Sequence, residues 1–284
     1  MYLITAIAVL PPIYNGIELN GKHQAVVVID TDSRFSLARL AEVARHYMDQ
    51  RLQLNEQQFS DAQEIATPSE AKWDDLLRNT LQHVHIFRPQ SLSSLLATLS
   101  SLPTYLFTRS AHPSTSRALH SIILSSATAF YWQSRAEEEH ARLGGPTLAP
   151  TAQNQCARLV HHLRALQRKF ACLVVATTWA LYGPAASQHA TLGRPLLPRP
   201  WPAYPTLRIA VARVGVPRFA PGVSVEEALR ESEEGRGAAE RARFEAWVDG
   251  WGSEEWSERV WEEVRKGSGF GFSVGEDGVV VEGM

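Results

Sequence analysis

Two carboxylates follow an apolar run at a position where an α/β protein can place catalytic acids. The segment reads AVVVIDTD, and it puts Asp30 and Asp32 at the end of a predicted buried strand, just before helical spacing begins. In open α/β sheets ligands bind at the carboxyl ends of such strands, and two acids there can orient a water or a hydrated metal ion beside a phosphate. The alternative is structural, because acids before a helix cap its first turn and favour its dipole. By itself the segment favours the capping role.

The segment from Gly16 to His23 comes close to the phosphate-binding motif G-x-x-x-x-G-K-[ST]. It reads GIELNGKH, so both glycines and the lysine are present, but His23 stands where a hydroxyl would ligate magnesium. A phosphate loop is fed by a strand and followed by a helix, which aims backbone N–H groups at the phosphates. Here a strand-like run from Ala25 follows the lysine, so the pattern predicts a connecting loop.

Cysteine and histidine spacing indicates neither a disulfide framework nor a metal site. Cys156 and Cys172 stand sixteen positions apart without a second pair, and no histidine follows at zinc-finger spacing. The pair His161-His162 lacks both the spacing and the acidic neighbours of a metal site. We therefore expect a reducing compartment and no bound metal.

Repeated β–α steps are predicted to position the two acids. After AVVVID, apolar runs predict three further buried strands: residues 84–87 (VHIF), 119–126 (LHSIILSS) and 171–179 (ACLVVATTW). Helical spacing predicts helices after the first acid-bearing strand, near residues 76–81, at 91–102 and at 153–170. Residues 1–10 fit a helix or a strand, 51–72 resemble a surface excursion, and 136–151 and 185–205 are predicted loops. This order predicts a parallel α/β sheet.

The C-terminal third differs from the rest in charge. From Glu226 to Lys266 there are 13 acidic and 7 basic residues, although the whole chain has a net charge of only −2. Ser224 and Glu227 form a capping box, and apolar residues recur at Trp256, Val260 and Val264. A strand is predicted at 206–214, and 268–284 resembles a hairpin. We therefore predict a core over 1–219, an acidic helical insertion over 220–267, and a C-terminal hairpin over 268–284 that completes the core.

Composition and the length of the N-terminal apolar run argue against two broad classes of protein. A chain with 44% hydrophobic and 20% charged residues and this net charge is unlike a generally basic nucleic-acid binder. The apolar run over residues 2–10 is much shorter than the ~20 residues that span a bilayer, so no membrane association is expected.

Three motifs together resemble those of RecA-like recombinases, and of the eukaryotic recombinase paralogues in particular. Residues 29–48 (IDTDSRFSLARLAEVARHYM) resemble the segment after the second core strand, 125–132 (SSATAFYW) the magnesium-site strand and its exit, and 173–179 (LVVATTW) the strand of the sensor glutamine. Their order and separations agree over about residues 2–281. The resemblance implies a RecA-like fold of the P-loop NTPase type, a mostly parallel twisted sheet flanked by helices. It also implies that YLITAIAVLP is the helix after the phosphate loop, so the chain is expected to begin just behind that loop.

The resemblance assigns four residues to nucleotide-site positions. Asp32 falls where active recombinases keep the catalytic glutamate, and Ser125, with Ser126 beside it, falls at the magnesium-site aspartate. Trp179 falls at the sensor glutamine. A serine cannot supply the charge that anchors hydrated magnesium, and an acid without a held phosphate has no substrate to act on. ATP and Mg²⁺ are thus implied by the family alone, and this chain is expected to hold neither firmly.

These departures lead to three functional hypotheses. The first is a non-catalytic subunit in homologous-recombination repair of DNA double-strand breaks, located in the nucleus and assembled with other recombinase paralogues. DNA contact would then run through the complex, because the segments matching the DNA-contacting loops (136–151 and 181–205) carry few cations and include Glu137–Glu139. The second is a DNA-stimulated ATPase whose phosphate loop precedes Met1. The third is a DNA-junction binding module.

Overall fold

The chain divides into two compact units, each of which contains a four-stranded sheet. One unit comprises Met1–Gly183 and Gly193–Tyr204, and the other comprises Pro184–Leu192 and Pro205–Met284. The structure is a computed structural model that describes residues 1–58, 69–143, 152–179, 197–214, 224–225, 243–248, 257–260, 262, 269–275 and 278–281. In the described residues no helix is long and apolar enough to cross a membrane.

The first unit alternates strands and helices, as the apolar spacing predicts. Its elements are α1 (Tyr2–Val9), β1 (Ile13–Tyr14), β2 (Ile17–Glu18), β3 (Ala25–Asp30), α2 (Leu37–Gln58), α3 (Glu70–Leu81), β4 (Val84–Phe87), α4 (Leu92–Phe107), β5 (Leu119–Ser125), α5 (Tyr131–Arg142), α6 (Ala152–Phe170) and β6 (Leu173–Ala176). Short 3-10 turns lie at Pro113–Ser116 and Trp201–Ala203. The ambiguous N-terminal segment is therefore a helix.

A parallel sheet in the order β4-β3-β5-β6 organises this unit. All six residues of β3 are buried, because β3 is central and helices cover both sheet faces. The predicted mixed α/β class with a helix-flanked parallel sheet is thus confirmed. β6 differs from its prediction as a strand buried on both faces, since the side chain of Leu173 is exposed and β6 pairs only with β5 among the described strands.

Alternating side chains of β3 and β5 divide the core into two layers. Val27 and Ile29 face a cluster with residues of α4 and α6, whereas Val26 and Val28 face α1, α2 and α3. Each fully buried leucine or valine in these layers contributes roughly 1.5–3 kcal/mol relative to an exposed one. The two layers fix the strands, and hence the strand ends that carry the candidate residues.

Two helices are longer than the sequence predicts. α2 continues to Gln58, so residues 51–58 are helical rather than part of a surface excursion. α4 continues through Pro103 to Phe107, beyond the predicted end at residue 102. Leu99 and Leu102 are buried on the α4 face that packs on the sheet, and this burial offsets the poor helix propensity of the proline.

The second unit corrects the predicted domain division. β7 (Ile209–Arg213), β8 (Arg243–Val248), β9 (Gly269–Val274) and β10 (Val279–Val281) form an antiparallel sheet in the order β10-β9-β8-β7. The first compact unit ends at Tyr204, whereas the sequence predicts a core that extends to residue 219. The predicted C-terminal hairpin is present, but its strand β9 pairs with β8, so the hairpin does not complete the parallel sheet.

The predicted helical insertion over 220–267 is wrong at β8. In this strand Phe244 and Ala246 alternate with Arg243 and Glu245, and Phe244 stacks on Phe272 of β9 with ring centroids 5.3 Å apart. This period of two is masked in the sequence by the acidic residues on both sides. Of the other predicted features here, Glu227, Trp256 and Val264 lie outside the described residues.

Candidate functional site at the carboxyl ends of the parallel strands

The ends of β3, β5 and β6 bring the predicted site residues to one edge of the sheet. Asp30 is in register with Ser125, and Leu124 is in register with Ala176, so Asp32, Ser126 and Trp179 follow directly beyond the paired residues. This is the edge at which open α/β sheets bind ligands. The structure therefore brings together the residues that the sequence singled out.

Asp30 is a structural carboxylate. Its side chain is fully buried and accepts three hydrogen bonds, from the backbone N–H of Arg34 (3.1 Å), the backbone N–H of Phe35 (3.2 Å) and Nε of Arg88 (3.1 Å). Arg88 also donates from Nη2 to the carbonyl of Phe35 over 3.1 Å. Both carboxylate oxygens are thus engaged in holding the turn between β3 and α2, and Asp30 is not available to hold a water or a metal ion.

The helix cap predicted for the two acids is formed by another residue. Ser36 precedes α2, and its hydroxyl accepts a hydrogen bond from the backbone N–H of Arg39 over 3.2 Å, while its carbonyl accepts from Leu40 over 3.1 Å. A serine directly before the first periodic apolar residue is a usual N-cap signal, so the sequence contained this information. Asp30 stabilises the preceding turn instead.

Asp32 is the acid that can face a ligand at this edge. Its side chain is 24% exposed, and Oδ1 accepts a hydrogen bond from the hydroxyl of Ser125 over 3.3 Å. The guanidinium Nε of Arg34 lies 4.0 Å from Oδ2, at the limit of an ion pair. The carboxylate is therefore held loosely, and it retains hydrogen-bonding capacity toward solvent.

Threonines that the sequence predictions did not single out fasten the strand ends together. The hydroxyl of Thr31 donates to the carbonyls of Ser125 and Ser126, the latter over 2.8 Å. The backbone N–H of Ser126 donates to the hydroxyl of Thr177 over 2.8 Å. Ser126 has a left-handed backbone with φ of 56°, an uncommon conformation outside glycine that these bonds help to hold. The ATT sequence of β6 was the available signal for Thr177.

Trp179 lies at this edge with a solvent-exposed indole. The residue is 63% exposed, and its backbone N–H donates to the hydroxyl of Thr128 over 3.2 Å. An indole has one N–H donor and no carboxamide, so Trp179 cannot both donate to and accept from a nucleotide phosphate and its water, as a glutamine can. Trp132, on the segment that leaves β5, is also exposed.

The phosphate-loop-like segment is a connecting loop, as predicted. Its consecutive N–H groups donate to carbonyls at the end of α1: Lys22 to Ile7 (3.0 Å), His23 to Leu10 (2.8 Å) and Gln24 to Ala8 (2.9 Å). These bonds satisfy the last carbonyls of the helix, so the N–H groups cannot cradle an anion. Gly21 lies against Leu10 so closely that an added Cβ would come within 2.1 Å of the Leu10 carbonyl oxygen.

A second polar cluster lies beneath β4. The hydroxyl of Ser114 is 2.8 Å from Nδ1 of His83 and 2.9 Å from Nε2 of His85, so it is hydrogen-bonded to both rings. His85 also pairs with the hydroxyl of Tyr105 over 3.0 Å, and Nδ1 of His112 accepts from the backbone N–H of Ser114 over 3.1 Å. Each ring is satisfied inside the core, which indicates a structural role.

The residues present are a poor fit for a magnesium–nucleotide complex. Asp32 and Ser125 offer one charged and one neutral oxygen, whereas protein-bound Mg²⁺ prefers carboxylates together with substrate phosphates. Across the described part of the chain, no group of three His, Cys, Asp or Glu residues is placed to hold a metal ion. Both cysteines are buried thiols, and burial raises the pKa of Cys172 to about 11, so this thiol is a weak nucleophile.

Comparison of the chain with protein-family models and with curated proteins finds no match. The fold defines the chain as a mixed α/β protein with a helix-flanked parallel sheet, and the carboxyl edge of that sheet carries the partly exposed carboxylate of Asp32.

Proposed function

We propose that this chain is a non-catalytic RecA-like recombinase paralogue that acts in homologous-recombination repair by assembling with other paralogues. The proposal rests on the resemblance of its motifs to those of the paralogue known as X-ray repair cross-complementing protein two. In this proposal the parallel sheet is a scaffold for assembly in the nucleus, and DNA is contacted through the complex. Nucleotide turnover is not part of the function.

The state of the carboxyl edge supports this proposal most directly. Nucleoside triphosphate hydrolysis depends on positioning and electrostatic stabilisation of phosphates and magnesium by charged groups. Here Asp30 is committed to Arg88 and to backbone N–H groups, and Ser125 donates to Asp32 where a magnesium-anchoring carboxylate is expected. The edge thus keeps its architecture while one carboxylate remains available.

The lateral edge of the parallel sheet is a candidate surface for assembly. Within the described residues β6 pairs with β5 alone, and we propose that its other side is where a partner strand pairs. Leu173 of β6 is 59% exposed. An exposed strand edge with an apolar side chain is suited to binding a partner by strand addition.

Two measurements on the purified chain test the proposal. The first is co-purification and size-exclusion chromatography with purified recombinase paralogues, which is expected to yield a stable hetero-oligomer. The second is ATP hydrolysis with and without single-stranded DNA, which is expected to remain at background. Asp32→Asn removes the charge of the carboxylate at the strand ends. Asp75→Asn, which removes an exposed carboxylate of α3, is its matched control.

The alternatives give different results in the same assays. DNA-dependent hydrolysis that Asp32→Asn abolishes and Asp75→Asn preserves would establish the ATPase hypothesis and overturn the proposal. Tight binding of the isolated chain to DNA junctions, with an affinity that falls steeply as salt is added, would instead support a junction-binding module. Failure to associate with any recombinase paralogue would also contradict the proposal.

A further inference from the structure

A groove with a volume of about 430 Å³ lies between α4 and α6, and none of its lining residues takes part in the site at the strand ends. α6 contributes Gln155, Arg158 and His162, and α4 contributes Leu96 and Ala97 together with Ser93 and Ser100. The α6 residues recur at three- and four-residue steps, so they form one line along the helix. That line extends for about 10 Å along the helix axis.

Gln155 carries a buried acceptor without a partner. Its Oε1 atom is buried, and no hydrogen-bond donor in the described part of the chain reaches it. A buried polar group left unpaired costs about 1–3 kcal/mol, so such atoms are rare in folded proteins. Gln155 lines the groove, and the terminal torsion of a glutamine carboxamide is soft, so a turn of this group toward the groove would let a bound N–H supply the donor.

The charge of α6 favours an acidic occupant. The helix carries four cationic side chains and no acidic one. Arg164 lies over the ring of Tyr204, and Lys169 lies over the ring of Phe107, whereas Arg158 is exposed at the groove. No acidic side chain among the described residues forms an ion pair with Arg158, so its guanidinium can bind a carboxylate in a bidentate manner.

The opposite wall is apolar in its middle. Leu96 and Ala97 lie at the centre of the α4 wall, between Ser93 and Ser100, which stand one turn away on either side. Occupants of this groove therefore need an apolar group flanked by polar ones. An extended peptide presents a side chain or N–H group about every 3.3 Å, which matches polar groups spread over two helical turns better than a compact metabolite does.

We propose that the groove between α4 and α6 binds an acidic peptide segment of a partner protein. The Gln155 carboxamide turns toward the peptide so that Oε1 accepts from a main-chain N–H, and a carboxylate of the peptide pairs with Arg158. An apolar peptide side chain packs on Leu96 and Ala97. This inference goes beyond the proposed function and does not depend on it, because any partner with an acidic, partly apolar segment meets these requirements.

The test uses a fluorescein-labelled peptide of alternating Glu and Leu and a matched peptide of alternating Gln and Leu, with binding to the full chain followed by fluorescence anisotropy. The acidic peptide is expected to bind about tenfold or more tightly than the neutral one. Arg158→Gln, Gln155→Leu and the groove-filling Ala97→Trp are each expected to weaken binding by about tenfold, a loss of about 1.4 kcal/mol.

Arg168→Gln is the matched control, because Arg168 is an exposed cation on the same helix outside the groove. It is expected to change the affinity less than about twofold, as a rim charge does. Equal losses from Arg168→Gln and Arg158→Gln, equal binding of the two peptides, or no binding would overturn the proposal. Thermal unfolding checks the fold of each variant, and Gln155→Leu is expected to melt at or above the wild-type temperature because it removes an unpaired buried acceptor.

Discussion

The hydroxyl of Ser125 donates to the carboxylate of Asp32 over 3.3 Å, which links the ends of β5 and β3 at the carboxyl edge of the parallel sheet. A hydroxyl in this place satisfies the acid without adding charge. An aspartate in place of Ser125 would set two carboxylates face to face, which is stable only with a proton or a cation between them. The pair therefore lets the two strand ends meet without a second acid facing Asp32.

This relationship predicts the behaviour of Ser125→Asp. At neutral pH the variant is expected to lose about 1 kcal/mol of unfolding free energy, because two carboxylates then repel each other at close range. Millimolar MgCl₂ is expected to restore most of the loss, since carboxylate oxygens are the protein ligands that this ion prefers. Urea denaturation of the variant and the wild type, with and without MgCl₂, measures both effects.

The control for this substitution is Ser110→Asp, which adds the same charge at an exposed turn after α4. Its stability is expected to stay within about 0.5 kcal/mol of wild type and to be insensitive to MgCl₂. If Ser125→Asp were as stable as wild type without magnesium, the described proximity to Asp32 would be incorrect.

The two acids of the edge are expected to differ sharply in their effect on stability. Asp30→Asn removes a buried charge from Arg88 and from two backbone N–H groups, so it is expected to cost about 2–3 kcal/mol. Asp32→Asn alters a partly exposed residue with a long hydrogen bond, and it is expected to cost less than about 1 kcal/mol. Urea unfolding of both variants gives the comparison, and equal costs would argue against a structural role specific to Asp30.

The histidine cluster beneath β4 makes stability depend on pH. Burial, with smaller contributions from Arg117, His23 and His112, lowers the pKa of His83 to about 4, and burial with His112 and His83 lowers the pKa of His85 to about 4. The unfolded chain therefore binds more protons than the folded chain between about pH 4 and 6.5, and unfolding free energy rises with pH across that window. At pH 5 each ring is expected to lower the unfolding free energy by about 1–2 kcal/mol relative to pH 7.

Urea unfolding at a series of pH values checks this dependence. The double variant His83→Gln/His85→Gln is expected to flatten the slope between pH 5 and 7, whereas His161→Gln, at an exposed histidine of α6, is expected to leave it unchanged. A wild-type protein that is as stable at pH 5 as at pH 7 would contradict the buried, neutral state of His83 and His85.

The parts of the fold that could be predicted are those governed by local periodicity. The run from Ala25 to Asp30 is apolar throughout because β3 is central, and that pattern identifies the strand and its acidic end without any partner. The role of Asp30 could not be predicted, because its partner Arg88 lies 58 positions away and follows another strand. The sequence does not predict β8 for a different reason. Its alternation of apolar and charged residues is short, and the acidic residues on both sides favour a helical prediction for the whole segment.

The two glycines of the phosphate-loop-like segment are expected to respond differently to the same substitution. Gly21→Ala would place Cβ 2.1 Å from the carbonyl oxygen of Leu10 and 2.5 Å from that of Pro11, both of which are backbone atoms that cannot rotate away. We expect a loss of about 2–4 kcal/mol in unfolding free energy, because the loop that caps α1 must shift.

Gly16→Ala is the matched control for this substitution. Gly16 has a φ of +83° in the turn between β1 and β2, with nothing within 4 Å of an added Cβ, so only the left-handed backbone opposes alanine. That cost is about 1 kcal/mol. Urea unfolding should therefore give a clearly lower unfolding free energy for Gly21→Ala than for Gly16→Ala. Equal losses of unfolding free energy in the two variants would argue against close packing on α1 as the reason for a glycine at position 21.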